Sequence, residues 1–314
     1  MKNNRIALIA AGLISAVSLA LPAWAASCTG KGIELQVLGS GGPELVDARA
    51  SSGYLLWVDG KARIMIDAGG GTALRFRQAG AKMADLDMIL LSHLHTDHAA
   101  DLPALIKSGI FEERRRALPI YGPPGNEVMP STVEFLQDLF DKKRGAFRYL
   151  GEMISLEEKR GTYRLDPHDT VLGEHEIKSV VESDLFRVIG SPLIHHKIPA
   201  VGWRIEVGGK VVVFSGDTNG DNGNLEILAK DADIFVAHNA VEEGTHFGPR
   251  SLHMPPSVIG RIAGEAKVKS LVLSHFLLGY HTLDKQSESQ KEIAKKYSGP
   301  IAFARDLDCF PVKP

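Results

Sequence analysis

Cysteine is scarce. The 314-residue chain holds two, Cys28 and Cys309, both outside every metal-binding pattern, so no metal site here is built on thiolates. An excess of basic charge is missing as well: 36 Lys and Arg stand against 38 Asp and Glu. That balance offers no broad positive surface for a polyanion, and a nucleic-acid partner is not expected. No stretch repeats with a period of about 20–50 residues and none is of low complexity, which argues against solenoids and low-complexity segments.

A long apolar run stands at the N-terminus. Lys2 and Arg5 flank its start, it extends from residue 6 to about 21, and Ala23-Trp24-Ala25 places small residues around a cleavage point. The pattern reads as a secretory signal peptide over 1–25; a retained membrane anchor is the weaker alternative, because the run is short. The mature chain is then expected to be periplasmic or secreted, with no stable membrane insertion. Its net charge is −4, since 34 basic residues remain against 38 acidic ones. In an exported chain an isolated cysteine pair reads as a Cys28–Cys309 disulfide, the alternative being two buried free thiols.

Alternating apolar residues mark a strand at 33–38, and 53–58 and 62–67 read as a hairpin about Asp59-Gly60. Further strands are expected at 87–92, 118–121, 201–207, 210–214, 234–237, 271–273 and 301–303, with less regular ones near 176–182 and 186–194. Helical patterns cover 72–80, 101–107, 225–229, 255–266 and 285–296, and run from 130 to about 143. Strands come in hairpins in each half with helices between them, which fits two sheets flanked by helices.

Against this background Ser92-His93-Leu94-His95-Thr96-Asp97-His98 stands apart. It follows the apolar run Met88-Ile89-Leu90-Leu91, so a buried strand ends and its side chains emerge at the C-terminal edge. In an extended segment His93 and His95 point to the same side, and Asp97 and His98 follow in the turn. Imidazole nitrogen and carboxylate oxygen suit zinc and similar divalent ions. A His-rich surface loop is the bland alternative, but ordinary loops do not place this pattern behind an apolar strand.

The spacing H-x-H-x-D-H resembles the metallo-β-lactamase superfamily, a group of hydrolases of many kinds. Three later stretches resemble its remaining motifs, in order: Ile194-His195-His196 through Gly202-Trp203-Arg204, then Val213-Phe214-Ser215-Gly216-Asp217-Thr218, then Leu273-Ser274-His275-Phe276. The resemblance covers about residues 32 to 306. It is closest to the ribonuclease Z-like branch, which also includes arylsulfatases and phosphodiesterases. It implies an α/β fold, the αββα sandwich of two mixed sheets flanked by helices, with 26–314 as the hydrolase domain.

The resemblance also implies ligands. His93, His95 and His196 would hold one divalent ion, Asp97, His98 and His275 a second, and Asp217 would bridge both. Zinc is expected, with manganese or iron as alternatives. Neighbouring His195 competes for the third position, but the run to Gly202-Trp203-Arg204 aligns the family ligand with His196. Asp97 and His253 are assigned to catalysis, His253 as the group that protonates the leaving group or steadies the transition state. Asp67 matches the family's aspartate behind a metal-bound imidazole, or else simply caps a turn. The family often carries His-Glu-Ala where this chain has His238-Asn239-Ala240. Glu242 or Glu243 would then have to partner His253, and His238 keeps a structural hydrogen-bonding role.

Two features turn this reading away from ribonuclease Z itself. One is export. The other is the family's tRNA-gripping arm between the third and fourth motifs: here Arg204 through Lys210 passes straight into the next strand. The expected activity is therefore an exported hydrolase of small anionic esters, arylsulfatase-like or phosphodiester-cleaving, using a metal-bridging hydroxide. Trp203, Phe247 and Phe276 would line an aryl pocket, with core packing as the alternative. Lys107 and Arg204 would meet the anion, or serve surface roles. A lactonase is the alternative within the fold, and a non-catalytic periplasmic metal-binding protein is the alternative of another class. A homodimer is left open.

Overall fold

The computed structural model describes residues 28–154, 163–277, 279 and 282–313, so the signal-peptide segment 1–25 lies outside the described residues. Six consecutive strands build most of the first sheet: β1 (Ile33–Gly39), β2 (Gly53–Val58), β3 (Lys61–Ile66), β4 (Met88–Leu90), β5 (Leu118–Gly122) and β6 (Leu165–Asp169). The second sheet follows with β7 (Lys178–Glu182), β8 (Phe186–His195), β9 (Ile198–Val207), β10 (Lys210–Phe214), β11 (Ile234–His238), β12 (Leu271–Ser274) and β13 (Ile301–Phe303). The last strand, β14 (Cys309–Pro311), returns to the edge of the first sheet beside β1. Each sheet has seven strands, in the orders β14-β1-β2-β3-β4-β5-β6 and β13-β12-β11-β10-β9-β8-β7. Both are mixed: hairpins at one end, parallel pairs β3 to β6 and β10 to β13 at the other.

Side-chain alternation explains the layering. Along β2, Tyr54 and Leu56 face the other sheet, while Leu55 and Trp57 face away. The second sheet repeats the scheme, with Val212 and Phe214 inward and Val213 outward. Both faces of each sheet are therefore apolar, and every residue of β11 is buried.

Helices cover the two outer faces. On the first sheet these are α1 (Thr72–Gln78), the single turn α2 (Thr96–Ala99), α3 (Leu102–Phe111) and α4 (Thr132–Phe140). On the second they are α5 (Asn224–Leu228), the short α6 (Gly248–Leu252), α7 (Pro256–Glu265) and α8 (Leu283–Ile293). The result is the αββα sandwich. α4 begins at a capping box, Ser131 and Glu134 each bonding the other's backbone N–H. α7 begins with Pro256 at its first position, where a missing N–H costs nothing. Among the described residues no helix is long and apolar enough to cross a membrane.

Trp203 locks the two sheets together. It is fully buried between them, and its indole N–H donates to the Leu91 carbonyl at 3.1 Å. Cys28 and Cys309 are joined in a disulfide, with Cα atoms 5.2 Å apart and 281 residues of chain between them. Closing so long a loop stabilises by up to on the order of 5 kcal/mol in the chain-entropy picture. It ties the segment before β1 to β14, which pairs only three residues with β1.

Candidate metal centre

Every ligand-type residue of the motifs sits where a strand of either sheet stops. Asp67 follows β3, His93 to His98 follow β4, Asp217 follows β10, His238 ends β11 and His275 follows β12. His195 is the last residue of β8, and His253 follows α6. The parallel strands all end on the same side, so their loops meet in the cleft between the two sheets. Two glycines allow the approach. A Cβ on Gly69 would lie 2.0 Å from the Asp97 carbonyl oxygen, and one on Gly216, whose φ is +54°, would lie 2.7 Å from Ser92 Cβ.

Two ligand groups share Asp217. In the first, His93 Nε2 lies 3.0 Å from His95 Nδ1, and His195 Nε2 lies 3.4 Å from the same His95 nitrogen. Asp217 Oδ2 lies 3.8 Å from both His93 Nε2 and His195 Nε2. These four donors could hold one ion. In the second, Asp97 Oδ2 lies 3.2 Å from His275 Nε2 and 3.5 Å from His98 Nε2. Asp217 closes this group too, 3.6 Å from His98 Nε2 and 3.4 Å from His275 Nε2. Distance alone would also count His238 in the second group. However, His238 Nδ1 already bonds Asp217 Oδ1 at 2.6 Å, and its Nε2 meets the Tyr54 hydroxyl at 3.0 Å. It holds Asp217 in place, and Asp97 is the better member.

The surroundings orient the donors outward to inward. Asp67 accepts from Ser92 N at 2.7 Å and Ser92 Oγ at 2.8 Å, and it pairs with His98 Nδ1 at 2.8 Å. That contact puts the proton of His98 on Nδ1 and turns its Nε2 lone pair into the cleft, where the nitrogen is buried with no hydrogen-bond partner. His195 Nδ1 likewise donates to the Leu252 carbonyl at 2.8 Å, leaving Nε2 facing the first group. An inward lone pair with no donor to meet it is what a divalent cation satisfies, so the residues fit a metal.

Electrostatics follow from burial. Burial pushes His93 well below its ordinary range, and takes His195, His238 and His253 down to about 4. Burial works against the charge on Asp217 as well, but the imidazoles of His275, His98 and His253 and the His238 hydrogen bond outweigh it, and the carboxyl stays far below the usual carboxylate range. Burial opposes a proton on His98, yet Asp67, Asp97 and Asp217 together raise its pKa. The site is thus two ionised aspartates among imidazoles, a ready receptor for positive charge.

Several expectations need correction. His196 does not join the cluster; His195 does. β8 and β9 pair up to His195 against Ile198, so His196 and Lys197 form a two-residue turn. A turn residue leaves the ladder's alternation, and His196 stands exposed with φ +53° while His195 is buried. Neither Glu242 nor Glu243 partners His253: the first pairs with Lys285 at 2.8 Å, the second with Ser257 N at 2.9 Å. His253 instead faces Asp217, Nδ1 to Oδ2 3.8 Å, and that nitrogen has no hydrogen bond. The aryl pocket dissolves as well. Trp203 and Phe276 are core residues, Phe247 is 92 % exposed, and Arg204 bonds Glu206 and the carbonyls of Leu228 and Lys230.

An apolar groove of about 600 Å³ does open beside the cluster, in a different place. Leu94, Thr96 and Ala99 form its near wall, Phe135, Leu139 and Tyr149 its far wall. Lys107 stands in it, its ammonium 5.2 Å from the Phe111 ring centre and 5.4 Å from that of Tyr149.

Comparison with known proteins agrees with this geometry. Residues 62–276 match the Beta-lactamase superfamily domain. A ribonuclease Z of Methanosarcina acetivorans is 28 % identical over 287 residues, covering 79 % of this chain and 88 % of its own. A ribonuclease Z of Nocardia farcinica is 27 % identical, covering 90 % of this chain and 98 % of its own. Human tRNase Z, short form, shares the fold at 20 % identity, with a TM-score of 0.65 over 90 % of this chain and all of that one. The Zn2+-bound PqqB of Methylobacterium extorquens does so at 15 % identity, with a TM-score of 0.61 over 88 % and 99 %.

These relatives overturn the expectation of a small ester substrate and no nucleic-acid partner, for they are named as ribonucleases. A whole-chain charge balance does not say where charges sit, so it carries little weight against such a partner. The matched segment runs from β3 through the loop that carries His275, and the chain belongs to the beta-lactamase superfamily, as a hydrolase of the metallo-β-lactamase fold whose two donor groups could hold divalent metal.

Proposed function

We propose that the chain is a binuclear, zinc-preferring phosphodiester hydrolase acting on nucleic acid. His93, His95, His195 and Asp217 would hold one ion, and Asp97, His98, His275 and the shared Asp217 the other. The observation that carries the reading is the convergence of these donors on the two sides of one buried carboxylate. The ribonuclease Z relatives supply the bond type. Bound divalent ions supply Lewis acidity to a phosphoryl group and lower the pKa of an attacking water.

The chain's own residues do the rest. Asp67 fixes the tautomer of His98, and His238, braced by Tyr54, fixes the rotamer of Asp217. His253 is neutral at pH 7 because burial takes its pKa to about 4. Its unpartnered Nδ1 can therefore accept a proton released in the cleft and pass it to the departing oxygen. Sulfate-ester hydrolysis has less behind it, since the side chains assigned to an aryl pocket are in the core or in solvent.

Export enters the same proposal: residues 1–25 would be a cleaved signal, and the Cys28–Cys309 disulfide supports an oxidising compartment. N-terminal sequencing of the protein recovered outside the cytoplasm should start near Ala26.

The zinc-loaded protein should cleave bis(p-nitrophenyl) phosphate and an RNA with a 3′ extension, and chelation should stop both. Full metal content with no cleavage of either substrate would refute the activity. Cleavage of p-nitrophenyl sulfate or a lactone alone would transfer the site to another ester class.

A further inference from the structure

The groove beside the metal centre shares a wall with it. Leu94, Thr96, Ala99 and Ala100 line the groove, and the same segment carries His95, Asp97 and His98. A molecule lying in the groove therefore runs beside the segment that holds these donors. The opposite wall is the end of α4 and the chain up to the 3₁₀ turn Arg148–Ile154.

That wall combines three features. Its floor is apolar, from Phe135 and Leu139. Two aromatic rings stand open on it, Phe147 37 % and Tyr149 67 % exposed. A cation stands among the rings: Lys107 lies between Tyr149 and Phe111, while Lys142, paired with Glu152, and the exposed Lys143, Arg144 and Arg148 belong to the same stretch of chain. An alkyl ligand would use the floor alone and gain nothing from the cations. A base-paired duplex hides the faces of its bases. An unpaired strand uses all three, stacking bases on rings and setting phosphates against ammonium and guanidinium groups. The turn between β9 and β10 is only Gly208-Gly209, so no arm extends between these two strands.

We propose that this groove binds the unpaired nucleotides next to the scissile phosphate of a single-stranded RNA, with Phe147 and Tyr149 stacking on bases and Lys107 meeting the backbone. This rests on the phosphodiester reading above and names how its substrate is held. In the chain's linear order the rings lie just after α4, ahead of every C-terminal ligand.

The test is fluorescence anisotropy of the full-length protein with a fluorescein-labelled, hydrolysis-resistant phosphorothioate RNA of about 12 nucleotides. Tyr149→Ala and Phe147→Ala should each weaken binding by roughly 5-fold or more, and Tyr149→Trp should restore it. Lys107→Gln should weaken binding and flatten its dependence on salt. Equal affinity across these variants would overturn the proposal. So would a duplex bound as tightly as the single strand, or dodecyl phosphate bound where RNA is not. Anisotropy needs no turnover, so the two readings fail separately. Ring-dependent binding without cleavage sinks the hydrolase, and cleavage with ring-independent binding sinks the groove.

Discussion

The two halves of the molecule build one site by different means. The first half contributes His93, His95, Asp97 and His98 from a single loop and turn, between β4 and α3. The second contributes His195, Asp217 and His275 from separate loops, brought together by pairing of β8 with β9 and by the parallel ladder β10, β11, β12. A contiguous motif needs only a strand end to aim it. A dispersed one needs a whole sheet, and a one-residue change of register sends each side chain to the other face.

Breaking that comparison starts with the residue both halves share. Asp217→Ala should remove metal from both groups at once and lower hydrolysis by more than roughly 100-fold, the upper range for merely supporting residues. Metal analysis showing one ion retained at full occupancy would mean that Asp217 serves only one group. The adjacent histidines give the next contrast. His195→Ala should cut metal content and activity nearly as far, while His196→Ala, in the exposed turn, should leave both within about 2-fold. Reversed effects would restore the ligand assignment favoured by motif alignment.

A smaller effect tests the supports. Asp67→Asn keeps the shape but loses the acceptor that fixes His98, and should lower metal affinity by about 10–100-fold. His238→Gln should behave alike through Asp217, so one half is not more dependent on its outer contacts than the other. A competition titration with a zinc chelator reads both.

The smallest effect is on the metal-free protein. His195, His238 and His253 have pKa values lowered by burial to about 4 from an ordinary 6.5. Unfolded, they take protons below pH 6.5; folded, they wait until about pH 4. The unfolded state therefore binds more protons in this window, and stability falls as pH drops through it. His98 and His275, raised by their carboxylates against burial, are already protonated in both states there and add no slope. The Tm of the chelated protein should fall between pH 6.5 and 4.5, and His253→Gln should flatten the curve. A Tm that holds constant or rises would contradict the assignment of these groups as buried and neutral.

Much of the fold is legible because strands buried on both faces read as short apolar runs bounded by turn residues, as at 53–58 and 210–214. β6 gives no strand signal because Leu165-Asp166-Pro167-His168-Asp169 has one apolar residue suited to a strand and a proline in its middle, and β14 because three residues carry no period. The resemblance to the family's motifs places the C-terminal ligands to within one residue. The family motif favours His196 over His195, because the run to Gly202-Trp203-Arg204 aligns the ligand with it, and the alternation expected of β9 begins only at 201. The strand starts at Ile198, and those three residues turn a loose loop into a tight hairpin.

Local chemistry therefore decided the contiguous half of the site, since its ligands depend on neighbours along one strand, and the resemblance to the family's motifs supplied the order of the rest. The cysteine pairing, too, was readable from an isolated pair. Only the tertiary structure decided which of two adjacent histidines turns inward, that His238 braces Asp217, and that the open aromatic face lies on α4 and the turn after it. Each of these depends on hairpin register or on packing between segments far apart in the chain, and a side chain's direction there is set by a partner that the local sequence does not contain.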